Sequence, residues 1–221
     1  MYAVGVELPW SERKPPTFTL LAIAGGFAVA TMLSILVIDV PVARAISADE
    51  PSPFWDNTLD VLEWLILLPP HKLVLPVTLV VALLTSMVVN RWRALAPALM
   101  TIAMVHLATR FVTNWIKDGT GRLRPYEWIK KGVDGSFGHD GGIAFPSGHV
   151  VLFASLAIPI LYVFPRTRIA AIPLLAITAF VALARIAVNA HWISDTLGSI
   201  ALITFATWAV SWATRPVTSH A

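Results

Sequence analysis

Cysteine is missing from this chain. Without a thiol there is no disulfide, no Cys-ligated zinc and no cysteine nucleophile. Charge is also scarce. Asp, Glu, Lys and Arg make up 13% of the 221 residues, where an ordinary soluble domain has about 25%. The net charge of +3 is too small to argue for a nucleic-acid partner. Internal repeats and low-complexity tracts are absent as well.

What fills the chain is apolar: 57% of residues are hydrophobic and the mean hydropathy is +0.72. The expected fold is all-α, a polytopic membrane protein forming one unit over residues 1–221. A span needs about 20 mostly apolar residues. Six runs approach that length, at 17–40, 73–90, 94–116, 147–164, 169–188 and 192–212. Arg13 and Lys14 precede the first, with no clear small-residue cleavage site after it, so it reads as a retained span rather than a signal peptide.

Residues 53–68 differ. Asp56, Asp60 and Glu63 recur at helical spacing, with Phe54, Trp55, Leu59, Leu62, Leu65 and Ile66 on the other side. Ser52 suits an N-cap and Pro53 a first helical residue. The pattern predicts an amphipathic helix lying in the membrane interface, ended by Pro69-Pro70.

Six spans put residues 41–72, 117–146 and 185–195 on one side. The short turns 91–93 and 165–168 are basic without acids and read as cytoplasmic. The opposite side carries about as many cations, so the rule favours this orientation only if several of those are kept for function. On that condition the three polar stretches face outward, towards the periplasm or cell exterior.

Those stretches carry the chemistry. The first runs from Lys117 to Pro125 and holds Lys117, Arg122 and Arg124 among glycines. It reads either as an electropositive rim matching phosphate oxygens or as an anchor for acidic head groups. The second is Pro146-Ser147-Gly148-His149 at the start of a span. A helix start offers free N–H groups and a positive dipole end to an anion. Gly148 permits close approach, Ser147 adds a hydroxyl, and His149 stands beside the anion as a proton donor. Taken alone, it reads first as a Pro-Ser helix start with an interfacial His.

The third stretch contains Arg185, His191 and Asp195. His191 and Asp195 are four apart and would share a helix face. The carboxylate would hold one imidazole nitrogen and leave the other free to attack phosphorus or take a proton. Arg185 would face away on a continuous helix, but a bend near Asn189 would bring it to the same membrane face. The plainer reading is a helix-end Arg, an interfacial His-Trp pair and a capping Asp. Within the third span lie His106 and Arg110, and an Arg there costs about 2.5–3.5 kcal/mol on insertion scales. Arg110 reads first as a structural intramembrane Arg that hydrogen-bonds inside the bundle, and otherwise as a partner of Asp39 of the first span or a support for the floor of the site.

Together the motifs resemble the type 2 phosphatidic acid phosphatase family, relatives of the vanadium haloperoxidases. The family pattern is Lys-x6-Arg-Pro, then Pro-Ser-Gly-His, then Ser-Arg-x5-His-x3-Asp. Lys117, Arg124 and Pro125 fill the first part, and residues 146–149 the second. Arg185, His191 and Asp195 fill the third, but Ala184 stands where the family has Ser. That departure puts one secondary phosphate hydrogen bond in doubt.

The resemblance implies a lipid phosphatase of the bacterial six-span type in the cytoplasmic membrane. His191 would be the nucleophile, carrying a phosphohistidine, and Asp195 would orient it. His149 would protonate the leaving oxygen and then activate water. Lys117, Arg124, Ser147, Gly148 and Arg185 would hold the phosphate. The resemblance implies no metal and no cofactor. Candidate substrates are undecaprenyl diphosphate, phosphatidylglycerol phosphate, phosphatidate and lipid A phosphates. The competing readings are a lipid-to-lipid phosphotransferase, a haloperoxidase and a transporter using His106 and Arg110. The choice of lipid and the oligomeric state stay open.

Overall fold

The computed structural model describes residues 18–47, 54–55, 57–58, 60–61, 74–90, 92–163 and 168–214. The described residues are helices and loops with no strand. The long elements are α1 (Phe18–Leu33), α2 (Asp39–Ser47), α3 (Val74–Val88), α4 (Ala96–Thr120), α6 (Gly148–Val163), α7 (Arg168–Ala187) and α8 (Ile193–Ala213), with a short α5 at Pro125–Lys131. A π-helical stretch at Ser34–Ile38 joins α1 to α2, so residues 18–47 form one rod. Among the described residues, three stretches are long and apolar enough to cross a membrane: Phe18–Ser47, Ala96–Lys131 and Ile193–Ala213. Pro76–Val88, Gly148–Val163 and Ala171–Ala187 are shorter apolar helices beside them.

The π stretch has a local cause. Pro41 lies inside the continuing helix. It has no N–H for the carbonyl four residues back, and its ring crowds that carbonyl. A widened turn just before it relieves the crowding, and the Asp39 N–H bonds the Ser34 carbonyl five residues back. The first span therefore runs past residue 40, where the sequence suggested a polar connection.

Helix α6 packs on α4, α7 and α8, while α1 lies along α8 and α3 along α4. Several polar groups sit in this apolar interior and bond within or between helices. His106 on α4 is fully buried and its Nδ1 lies 2.8 Å from Ser155 Oγ on α6. The expected interfacial helix at 53–68 falls largely outside the described residues. Those that are described there are helical, and Trp55 lies against Phe180 of α7 with ring centroids 5.6 Å apart.

The loop from α4 to α6 determines where the motifs go. Gly121 ends α4 in the left-handed conformation (φ 55°), which a residue without Cβ adopts without strain. The chain then leaves and returns at one neck. The Gly121 carbonyl accepts the N–H groups of Asp140 (3.0 Å) and Gly142 (2.8 Å), and the Arg122 carbonyl accepts that of Ala144 (2.9 Å). At Gly142 a Cβ would run into the backbone of Arg122 and Leu123, so only glycine fits. Gly142→Ala should therefore part the neck, cost about 2 kcal/mol or more, and lower the melting temperature in detergent by about 4 °C or more. An unchanged thermal melt would show that the two strands of the neck separate freely.

Candidate active site

All three sequence motifs meet at one end of the bundle. The third is built at the junction of α7 and α8. Helix α7 stops at Ala187, and Asn189 turns the chain with φ 55°. Asn tolerates that region better than most side chains do. The Arg185 carbonyl accepts the N–H groups of both Ala190 (3.0 Å) and His191 (3.1 Å), which closes the helix end. Asn189 Nδ2 donates to the Ala43 carbonyl of α2 (3.0 Å), and the Asn189 carbonyl accepts the Tyr126 N–H of α5 (3.2 Å). The bend expected near Asn189 is present and tied to two other elements.

One expectation is corrected. His191 and Asp195 do not share a helix face, because His191 precedes the helix and Trp192 is its N-cap. Asp195 instead works from the first turn. Its Oδ2 accepts the Trp192 N–H (2.9 Å) and lies 3.2 Å from His191 Nδ1. A carboxylate only accepts, so Nδ1 carries the hydrogen and Nε2 keeps its lone pair. Burial pushes the His191 imidazole below its ordinary pKa, opposed by the Asp195 bond and charge, with Lys117 and Arg185 adding to the lowering.

The second motif is fastened to the third by backbone. The Ser147 N–H donates to the Asp195 carbonyl (3.3 Å), and Ser199 Oγ donates to the Asp195 (2.7 Å) and Ser147 (3.2 Å) carbonyls. Helix α6 begins at Gly148, so its first-turn N–H groups lie at the site as expected. A Cβ at Gly148 would meet only Lys117 Cε, at 3.9 Å, so the glycine opens onto the cations. Ser147 Oγ is buried with no hydrogen-bond partner among the described residues, and so is Arg124 Nε. Buried polar atoms of this kind normally have partners, and each is a donor suited to an anion. Gly198 lets α8 approach this motif, since a Cβ there would strike the Phe145 ring at 2.5 Å.

Lys117 belongs to the last turn of α4 rather than to the loop, and its Nζ donates to the Ile143 carbonyl. Arg185, His191, Lys117 and Arg124 are all near enough to His149 to act on it electrostatically. Lys117, Gly148, His149, Arg124 and Arg185 are partly exposed, while Ser147, His191 and Asp195 are buried. The result is a half-open cradle with several cations, helix-start donors and two histidines. That set can hold a tetrahedral anion and present a ring nitrogen to it. Among the described residues no three His, Asp or Glu stand together as a metal site.

Arg122 is the main surprise. It is not on the rim but fully buried. Its Nη1 donates to Asp195 Oδ1 (2.5 Å) and Ser194 Oγ (2.7 Å), its Nη2 to Asp39 Oδ2 (2.6 Å), and its Nε to the Ser136 carbonyl (2.7 Å). The guanidinium also lies against Phe137 and Trp192, 4.9 and 5.0 Å from their ring centroids. Asp39 thus pairs with Arg122, and the alternative that it pairs with Arg110 is overturned. Ala184, at the departure from the family pattern, is buried among Leu152, Phe153 and Val181.

The pattern of the PAP2 superfamily matches residues 94–218, more than half of the chain. The fold agrees with a solved structure, described as that of the first transmembrane PAP2 type phosphatidylglycerolphosphate phosphatase from Bacillus subtilis. The similarity has a TM-score of 0.57 and covers 93% of this chain and 100% of that one, at 16% sequence identity. No curated protein matches the sequence. An all-helical membrane bundle that matches this family pattern is a membrane phosphatase. The chain belongs to the PAP2 superfamily.

The Asn189 bend supplies a test of how His191 is held. Asn189→Gly keeps the backbone conformation but loses the bond to Ala43. Asn189→Val loses the bond and also forces a β-branched residue to positive φ. Phosphate release from a soluble phosphomonoester should fall in the order wild type, Gly, Val, with Val down about tenfold or more because a misplaced reacting group is costly. Equal activity in Val and wild type would mean that the bend does not hold the imidazole.

Proposed function

We propose that the protein hydrolyses the phosphate of a membrane lipid through a phosphohistidine on His191. The observation that carries this reading is His191 itself. Its Nδ1 is held by Asp195, and its ring lies within reach of the charges of Lys117 and Arg185. In the first step the Nε2 lone pair forms a bond to phosphorus. The bond from phosphorus to the leaving oxygen breaks, and that oxygen takes a proton from His149. In the second step His149 takes a proton from water, the resulting hydroxide attacks phosphorus, and the N–P bond breaks to free inorganic phosphate. Lys117, Arg124, Arg185, Ser147 Oγ and the first N–H groups of α6 offset the charge on the phosphoryl oxygens. Phosphoryl transfer depends mainly on such positioning and electrostatic stabilisation. The cations fill the part that divalent ions take elsewhere, so the reaction needs no metal.

A lipid substrate is supported by an apolar groove of about 480 Å³ between α1, α6, α7 and α8, lined by Leu20, Ile23, Phe27, Ile158, Leu161 and Leu175 among others. On α6 its lining begins at Ala154 and reaches Tyr162. At 1.5 Å per residue these lie about 7 and 20 Å along the helix from His149. An alkyl chain hanging from a phosphate at the site would follow that path. The bilayer would then be crossed six times, with the site on the face away from the basic turns at 91–93 and 165–168, outward from the cytoplasmic membrane. Among the candidates, the Bacillus subtilis structure's phosphatidylglycerolphosphate and undecaprenyl diphosphate are to be compared first.

The test is phosphate release by purified protein in detergent from a panel of phosphatidylglycerol phosphate, prenyl diphosphate, phosphatidate and lipid A. His191→Ala should abolish turnover while lipid binding persists. Asp195→Asn should lower kcat by about 100-fold or more, through lost ring orientation and lost stabilisation of the imidazolium. EDTA should leave the rate unchanged, and vanadate should inhibit. Near-normal release by His191→Ala would refute the nucleophile, and loss in EDTA restored by magnesium would refute the metal-free mechanism.

A further inference from the structure

Asp39 comes from the first rod, outside the residues that the family pattern covers. It is 1% exposed and lies on the far side of Arg122 from Asp195. Its Oδ1 accepts Ser34 Oγ–H (2.7 Å) and the Ser194 N–H (3.1 Å), and its Oδ2 accepts Arg122 Nη2 (2.6 Å) and Ser194 Oγ–H (2.5 Å). Four donors from three parts of the chain fix one carboxylate.

The charges along this line are negative on Asp39, positive on Arg122 and negative on Asp195, and His191 comes next. With Asp39 present, Arg122 is shared between two carboxylates and the cluster keeps one net negative charge facing the imidazole. Without it, Arg122 would neutralise Asp195 alone and the net charge would be zero. In low dielectric that difference is strongly felt. We propose that Asp39 is a positioning residue for catalysis, acting through Arg122 to aim Asp195 at His191 and to leave Asp195 enough charge to stabilise a cationic ring. This deepens, and rests on, the reading of His191 as the phosphorylated group. Asp39 touches no reacting atom. It connects the first membrane helix to a site otherwise assembled from the second half of the chain.

The groups that bear on His191 are Asp195, Lys117 and Arg185, with His149 close by and Arg122 behind Asp195. Lys117 and Arg185 already disfavour a charged ring. Removing the negative charge of Asp39 moves the balance the same way, so protonation of His191 should require a lower pH.

The experiment measures kcat, KM and the acid limb of kcat/KM for Asp39→Asn and Ser194→Ala in the full-length protein, with one soluble phosphomonoester so that substrate ionisation cancels. Asn keeps the size of Asp39 and removes its charge. Ala at 194 keeps both charges and loosens their link. For Asp39→Asn, kcat should fall about 10- to 100-fold with KM within about twofold, and the acid limb should move to lower pH. Ser194→Ala should shift both quantities in the same directions by less. A purely structural role would reduce the amount of active protein but leave the limb where it was, because the limb does not depend on how much enzyme is folded. If Asp39→Asn gives no folded protein, Ser194→Ala decides. An unmoved limb in every variant that folds would overturn the proposal. His191→Ala is run alongside. If it retains turnover, the nucleophile reading fails. If it is inactive while Asp39→Asn matches wild type, only the positioning role fails.

Discussion

The structure depends on one buried cation. The Arg122 guanidinium sits at 0% exposure between two carboxylates and against two aromatic rings. Taking such a group out of water is expensive unless its donors are matched, and losing one partner of a buried pair costs about 3–5 kcal/mol. Here the donors are matched by Asp39 from the first rod, Ser136 from the loop, and Ser194 and Asp195 from α8. Helices that share only lipid-like surfaces have little to fix their relative height, since tails and side chains are equally apolar. A charge network that is satisfied in one arrangement supplies that fixing. Around it close Trp128 and Trp192, edge to face at 5.5 Å, with Ala43, Leu123 and Ala144.

Beside this fully buried cation stands a group of partly exposed ones. Arg124, Arg110 and Arg185 each act electrostatically on Lys117. Arg122 is surrounded by acids and serves the architecture. Lys117 also feels the charge of Asp195, and the positive charge of the group suits an anion. One Arg-x-Arg stretch therefore divides two tasks between residues two apart.

Much of this was legible in the linear chain, and the division follows sequence distance. Pro146 to His149 and Arg185 to Asp195 are short runs, so their place at one end of the bundle was readable before any fold was known. The bend at Asn189 was readable because Arg185 and His191 could not otherwise share a face. Arg122 was misread because residues 121–124 are irregular, with no period to say which side chain turns inward. Its partner Asp39 lies 83 positions away. The carboxylate was conspicuous in an apolar run, but choosing between Arg110 and Arg122 required knowing where α4 ends. The first rod's extension past residue 40 was hidden by Pro41, which reads as a breaker unless the turn before it can widen. The expected interfacial helix lies mostly outside the described residues.

The neck between Gly121–Arg122 and Asp140–Ala144 separates the loop into two regimes. Everything below the neck is held to the geometry of the site. Beyond it Tyr126, Trp128, Ser136 and Phe137 are tied back to Asn189, Trp192 and Arg122, so the mostly exposed turn at 131–135 is the part that closes a ring whose ends are already clamped. Lengthening such a ring costs only a logarithm of its length, about 0.6 kcal/mol for each doubling. Insertions and deletions can therefore accumulate in that turn while the chemistry underneath stays in register. Related chains should differ most in that turn, and the surface there can diversify without the cradle having to be rebuilt.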